Sequence, residues 1–241
     1  MKIIEAYWEK RNLNKNAIEV VVEHDDVLEN VIEKLKLIQC DYLVVKAPIG
    51  NYRLNRELTG LGFVFVEHSI TARNKLYEYN LPQIYQRLLR AMDYEAVAEE
   101  NLALLYDSLD DGIFETDRVA LDPQFSTTIS NERYKNWIND ELGKQSKLYF
   151  VIYKGERVGF FLLQSSEKSE VFAPLSGVFE PYKHLKLGYC LNCLIHKAAE
   201  PLGYKFVKTT FTSNNRGAFS IHASQSYTLL EQSYVFVKHI K

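Results

Sequence analysis

A lone histidine, His222, stands in the stretch NNRGAFSIHASQSY (214–227), close to where a short Asn-led helix must stop. An imidazole titrates near neutrality and can hold or release a proton in a reaction. A polar side chain where a helix end meets the surface is the other reading of the same residue. Asn215 opens that helix, a position from which an amide side chain caps the first turn. Cys190 and Cys193 form a C-x-x-C, a spacing that elsewhere binds zinc or cycles through a disulfide. No second pair and no His at zinc-like spacing accompanies them, and GYCLNCLIHKAAEPLG (188–203) reads as a helix. Packing is therefore expected of them, with reduced thiols and no metal.

The elements that must position these residues alternate along the chain. The first third reads as strand, strand, helix, strand, helix, strand: AIEVVVE (17–23) is short and β-branched, and DDVLENVIEKLKLIQ (25–39) has apolar residues near helical spacing. YLVVKAP (42–48), a helix ending in Gly, and FVFVEHSITARNKL (63–76) complete it. Residues 81–109 read as one or two helices with a Pro in the first turn, a linker between halves. A loop poor in apolar residues (110–130) leads to an amphipathic helix at 131–145. Then follow a hairpin turning at Gly155, a strand at 170–181 broken by Pro174 and Gly177, a helix at 187–202, a strand at 204–213, the His222 stretch and a last strand. The expected division is 1–80, 81–110 and 111–241.

A weak internal repeat emerges. Residues 51–63 and 215–227 span the same thirteen positions, each within a strand, an Asn-led short helix and a strand. In this overlay Leu58 takes the place of His222, so the first copy keeps the packing of the unit and puts an apolar residue at the suspected chemical position.

Bulk properties narrow the functions. The chain has 241 residues, 46% apolar and 25% charged, the balance of an ordinary globular protein. A net charge of −2 with well-mixed signs supplies no stripe for a phosphate backbone, so nucleic acid is not an expected partner. No apolar run approaches the roughly 18 residues of a membrane span, and charge appears within the first five residues. A cytoplasmic protein without membrane contact is expected.

The order from 147 onward (hairpin, broken strand, helix, strand, short helix, strand) resembles the GNAT superfamily of acyl-CoA-dependent N-acyltransferases. The loop GVFEPYKHLKLGYCL is similar to the family's V-x-P-x-Y/F-R-x-x-G-x-G/A turn, and NNRGAFSIHASQSY to its N-x-x-A-x-x-x-Y-x-x-x-G-F ending. His184 and Lys186 stand where small residues are usual, and Ser226 replaces a Gly. The resemblance implies an α/β (α+β) GNAT fold: a mixed central sheet with splayed strands, preceded by a partial GNAT-like half. It implies acetyl-CoA as acyl donor. The pantetheine arm would pair with amides of Gly177 and Val178. The pyrophosphate would rest on the turn of Lys183, His184, Lys186, Leu187 and Gly188 at a helix N-terminus. Asn215 would serve the adenylate side or simply cap its helix. His222, at the family's Tyr position, would protonate the departing thiolate, and Glu180 is a further catalytic candidate on position alone.

Within the superfamily, the order of several short motifs is similar to the dTDP-fucosamine acetyltransferases. These are Trp8–Glu9, Leu61–Gly62–Phe63, Phe114 with Arg118, and Tyr134 with Trp137. The likeness implies direct attack by the amine of a nucleotide-linked amino sugar on the thioester. Arg118 would pair with the diphosphate, and Glu115, Asp117 or Asp122 would take the ammonium proton. Three competitors remain: a GNAT-like binding protein without turnover, a different small amine, and a peptide acceptor. Edge strands at the C-terminus would admit a homodimer.

Overall fold

In a computed structural model of the chain, residues 1–76, 81–165 and 169–240 are described. The expected boundary at 80/81 and the last residue of the hairpin, Ser166, fall on or against residues outside this set. A ten-stranded mixed sheet runs through the molecule in the order β1-β2-β3-β10-β4-β9-β8-β7-β6-β5. The strands are β1 (Lys2–Glu5), β2 (Ala17–Val21), β3 (Tyr42–Pro48), β4 (Val64–Lys75), β5 (Met92–Ala96), β6 (Lys147–Tyr153), β7 (Glu156–Gln164), β8 (Glu170–Val178), β9 (Phe206–Thr212) and β10 (Thr228–His239). The helices are α1 (Tyr7–Leu13), α2 (Leu28–Leu37), α3 (Tyr52–Gly60), α4 (Gln83–Arg90), α5 (Leu102–Asp110), α6 (Thr127–Leu142), α7 (Gly188–Ala199) and α8 (Arg216–Ser224).

β3 and β7 are covered on both faces, which is why they are apolar without alternation. In β7, Phe161 and Leu163 pack with α7, while Phe160 and Leu162 join the cluster of α5 and α6. In β3, Leu43, Val45 and Ala47 face α2 and α3, and Tyr42 and Val44 face α1. Gly159 of β7 is required by close approach: a Cβ there would lie 2.3 Å from the carbonyl oxygen of Gly177 on β8.

The internal repeat is realised to the residue. β3, α3 and β4 become β9, α8 and β10 when every bound is shifted by 164 positions. The two units interdigitate around a pseudo-dyad at the pair Ser69↔Ser233 of β4 and β10. Each unit's second strand inserts between the strands of the other, so Pro48↔Ser233 is mirrored by Thr212↔Ser69. The Asn caps match as well. Asn51 accepts from the Leu54 amide at 3.1 Å and Asn215 from the Ala218 amide at 2.9 Å.

Three expectations are corrected. Residues 92–96 are a strand, not part of a helical linker, because pairing with β6 outweighs the helical pattern of the flanking residues. The helix expected from 131 starts at Thr127, where Ser126 caps it through the Ile129 amide. The C-terminal strand is no edge: β10 pairs with β3 on one side and β4 on the other, which removes the basis for a dimer through it. The sheet's edges are β1 and β5. No helix among the described residues is long and apolar enough to cross a membrane.

Candidate active site

β8 and β9 run parallel for three pairs only, Glu170↔Phe206 to Phe172↔Lys208, and then separate. Where they part, Thr209 Oγ1 donates to the Ala173 carbonyl at 2.9 Å, and Pro174, which has no N–H to leave unpaired, follows. A cleft of about 290 Å³ opens between Ala173–Ser176 of β8 and Thr209–Thr212 of β9. α8 supplies Ala218 and His222 to its wall, β4 supplies Glu67 and Ser69, and the loop before α6 supplies Phe114, Asp117 and Arg118.

His222 is built into this wall, where burial favours the neutral imidazole. Its Nδ1 lies 2.6 Å from the Ala218 carbonyl, which only accepts, so Nδ1 carries the proton. Its ring stacks on Phe211 at 4.5 Å and meets Tyr227 edge-on at 4.6 Å. Burial pushes its pKa below the ordinary value, against a smaller upward pull from the Ala218 bond. In the neutral form Nε2 is thus the nitrogen that keeps a lone pair.

Sequence reasoning missed Glu67. It is 8% exposed, lines the cleft from β4, and burial raises its pKa, with the Arg118 charge the strongest counterweight. A carboxylate poised upward in this way is suited to general-base work. Nothing local marks it, because only the insertion of β4 beside β9 carries it from the half that looks inert into the open half.

The other candidates divide. Arg118 Nη2 donates to Glu9 Oε1 at 2.7 Å. Arg133 binds the same carboxylate through Nε (3.1 and 3.0 Å) and Nη2 (2.9 Å). Burial acts to raise the pKa of Glu9, and the two guanidiniums overturn it, holding the carboxyl below the usual range. Asp117 has both oxygens engaged: Oδ1 accepts from the Val119 and Ala120 amides, Oδ2 from Arg133 (3.1 Å) and the Tyr134 hydroxyl (2.7 Å). It shapes the loop and has little lone-pair capacity for an ammonium proton. Asp122 is buried against His239 Nε2 at 2.7 Å and does not line the cleft. Glu115 is exposed and folds over Gly112. Glu180 is likewise exposed, ion-paired with Lys183 and away from the cleft wall, because the short 3-10 turn at 180–185 carries it to the surface.

In the turn before α7, Lys183, His184 and Lys186 are all exposed, and Lys186 adopts a left-handed φ of 55°. Leu187, fully buried, sits at the N-cap and offers no side-chain cap to the first amides of α7. An uncapped helix N-terminus beside three basic side chains fits a phosphate group. Gly188 makes room for protein instead of ligand, since a Cβ there would stand 3.0 Å from Ile221 of α8. The same is true of Gly177, whose Cβ would meet Ile113 at 2.6 Å. Val178, half-buried, ends β8. Cys190 and Cys193 are buried in α7, and burial lifts their thiols to about 11 and about 12. Among the described residues no group of three or more His, Cys, Asp or Glu side chains could hold a metal.

No protein-family model and no curated protein sequence matches the chain. Solved structures do match. A conserved protein of unknown function from Staphylococcus epidermidis superposes with a TM-score of 0.66 at 12% identity, over 94% of this chain and 85% of its own. A GCN5-related N-acetyltransferase from Sphaerobacter thermophilus gives 0.59 at 13% identity, over 88% of this chain and 65% of its own. A tandem GNAT protein from the clavulanic acid biosynthesis pathway gives 0.52 at 8% identity, over 87% and 67%. The chain therefore has the mixed α/β fold of the GCN5-related N-acetyltransferases, with a partial GNAT-like half laid into the same sheet.

Proposed function

We propose that the chain is an acyl-CoA-dependent N-acyltransferase, an N-acetyltransferase when acetyl-CoA is the donor, working in the cytoplasm on a small amine. The observation that carries this reading is the cleft where β8 leaves β9, walled by Glu67 and His222. The separated strand ends around Gly177 and Val178 would pair with the pantetheine arm. Lys183, His184, Lys186, Leu187 and Gly188 would hold the pyrophosphate at the start of α7, with Asn215 beside the cleft on the adenylate side. In this reading residues 111–241 form the working domain, 1–80 the supporting one, and 81–110 the connection.

Two side chains carry the protons of the transfer. Glu67 takes the proton of the bound ammonium, leaving a neutral amine. The nitrogen attacks the thioester carbonyl, and strand amides hold the developing oxyanion. The attacking nitrogen loses its surplus proton to Nε2 of His222. The C–S bond breaks, and the imidazolium so formed returns that proton to the thiolate, giving amide and free coenzyme A. The dTDP-amino-sugar acceptor rests on motif order alone. A screen of simple amines, amino acids, peptides and dTDP-amino sugars with acetyl-CoA, monitored for free thiol, tests the proposal. Acceptor-dependent thiol release lost in Glu67→Gln supports it. Acetyl-CoA binding without release from any acceptor class would favour a binding protein.

A further inference from the structure

A second cavity, about 350 Å³, lies between α1 and α6 and shares Lys46, Arg118, Arg133 and Trp137 with the cleft. The chain's two tryptophans, Trp8 and Trp137, both line it. A row of rings leads there from the cleft: Phe114 stacks on Tyr134 at 4.0 Å, and Tyr134 on Trp137 at 6.3 Å.

The charges in this cavity are mostly spent. Lys46 pairs with Glu19, Arg11 with Asp140, Lys144 with Glu141, and Arg133 with Glu9 and Asp117. Arg118 differs. It gives one N–H to Glu9, its Nε is buried with no partner, and no bond from Nη1 occurs among the described residues. One under-used guanidinium beside these paired charges suits one negative charge, whereas a diphosphate would have to draw Lys46, Arg11 or Lys144 away from Glu19, Asp140 or Glu141.

We propose that the acceptor is an amino acid with a large apolar or aromatic side chain: its amine at Glu67, its carboxylate on Arg118, its side chain between Trp8 and Trp137. This rests on the acyltransferase reading for its chemistry, but its binding is separately measurable. The proximity of amine and carboxylate in an α-amino acid suits a cleft whose wall carries both Glu67 and Arg118.

Because both tryptophans line the cavity, intrinsic fluorescence reports its occupancy. Phenylalanine, phenylalaninamide, phenethylamine and dTDP are titrated into the full chain, with acetyl-CoA titrated calorimetrically into the same samples. Phenylalanine is expected to give a saturable change, and phenylalaninamide and phenethylamine to bind about tenfold or more weakly for lack of the carboxylate. Arg118→Met should erase that preference. Arg118→Lys, which keeps a charge for Glu9, should retain the fold and part of the preference, covering the case in which the Met variant does not fold. Equal binding of acid and amide, tighter binding of dTDP, or no fluorescence change with any ligand overturns the inference. If acetyl-CoA binds while phenylalanine does not, the inference alone fails; if phenylalanine binds selectively and acetyl-CoA does not, the acyltransferase reading alone fails.

Discussion

The two βαβ units share every element boundary and differ in what fills the space beneath the short helix. Under α3, Leu54 and Leu58 are 1% and 0% exposed and close the core, and β2 stays paired with β3 from Ala17 to Val21, with the Val22 amide adding one more bond to Lys46. Under α8 the equivalent residues are Ala218 and His222, and β8 leaves β9 after three pairs. The same backbone is thus a packed support in one half and an open cleft in the other. Two side-chain exchanges and one strand separation make the difference. Even the carboxylates follow this division: Glu67 is buried against the cleft, and its counterpart Glu231 is exposed.

The sharpest way to break the comparison is through those two glutamates. Glu67→Gln should lower kcat by about 10²–10⁴-fold with acetyl-CoA affinity kept, as expected for loss of a general base. Glu231→Gln should leave the rate unchanged. Steady-state kinetics with the acceptor found by thiol release reads both.

Next in size is the packing contrast. Leu58→Ala should cost about 2–5 kcal/mol of stability, because it empties a fully enclosed site. His222→Leu copies the supporting half and should hold or raise stability while depressing turnover, which denaturant melts and rates on the same sample would show. A stable His222→Leu protein with undiminished rate would remove His222 from the chemistry.

The pH behaviour sharpens the role of Glu67. Burial raises its folded pKa above the ordinary value of 4.5, so the folded state retains its proton longer than the unfolded chain. Stability from this residue is present below about 4.5 and declines as pH rises toward the raised value, while activity rises over the same interval as the base ionises. Glu67→Gln should flatten the decline in stability. The lowered pKa of His222 works in the opposite sense: its neutral form is favoured by the fold, and acid titration through the ordinary histidine value costs stability.

The smallest effect concerns the caps. Asn51→Ala and Asn215→Ala should each cost about 1 kcal/mol, since the two bonds are alike. Only Asn215→Ala should also weaken acetyl-CoA binding.

Much of the fold was legible from local pattern. The bounds of β3 follow from the run YLVVKAP, and the Asn-led helices with their flanking strands align on residue type and spacing alone. α1 escaped because it is seven residues long, begins after Ala6 with no side-chain cap, and ends at an Asn with φ of 53°; its place is set by burial of Glu9 beneath Arg118 and Arg133. β5 escaped because MDYEA sits between helical sequences and becomes a strand only through β6. Glu67 escaped for a topological reason. Insertion of β4 between β9 and β10 joins residues more than 130 positions apart, and no periodicity within either half encodes it.

The claim that the open half is the acyl-CoA site rests on emptiness where the other half is full. Calorimetric titration of acetyl-CoA into the wild-type chain and into Ala218→Leu, which restores the leucine found at position 54 of the first unit, tests it directly. The account predicts saturable binding to the wild type, at micromolar to millimolar concentrations typical of enzyme substrates, and its loss in a folded Ala218→Leu protein. No heat from the wild type at millimolar acetyl-CoA, or equal binding by both proteins, would contradict it.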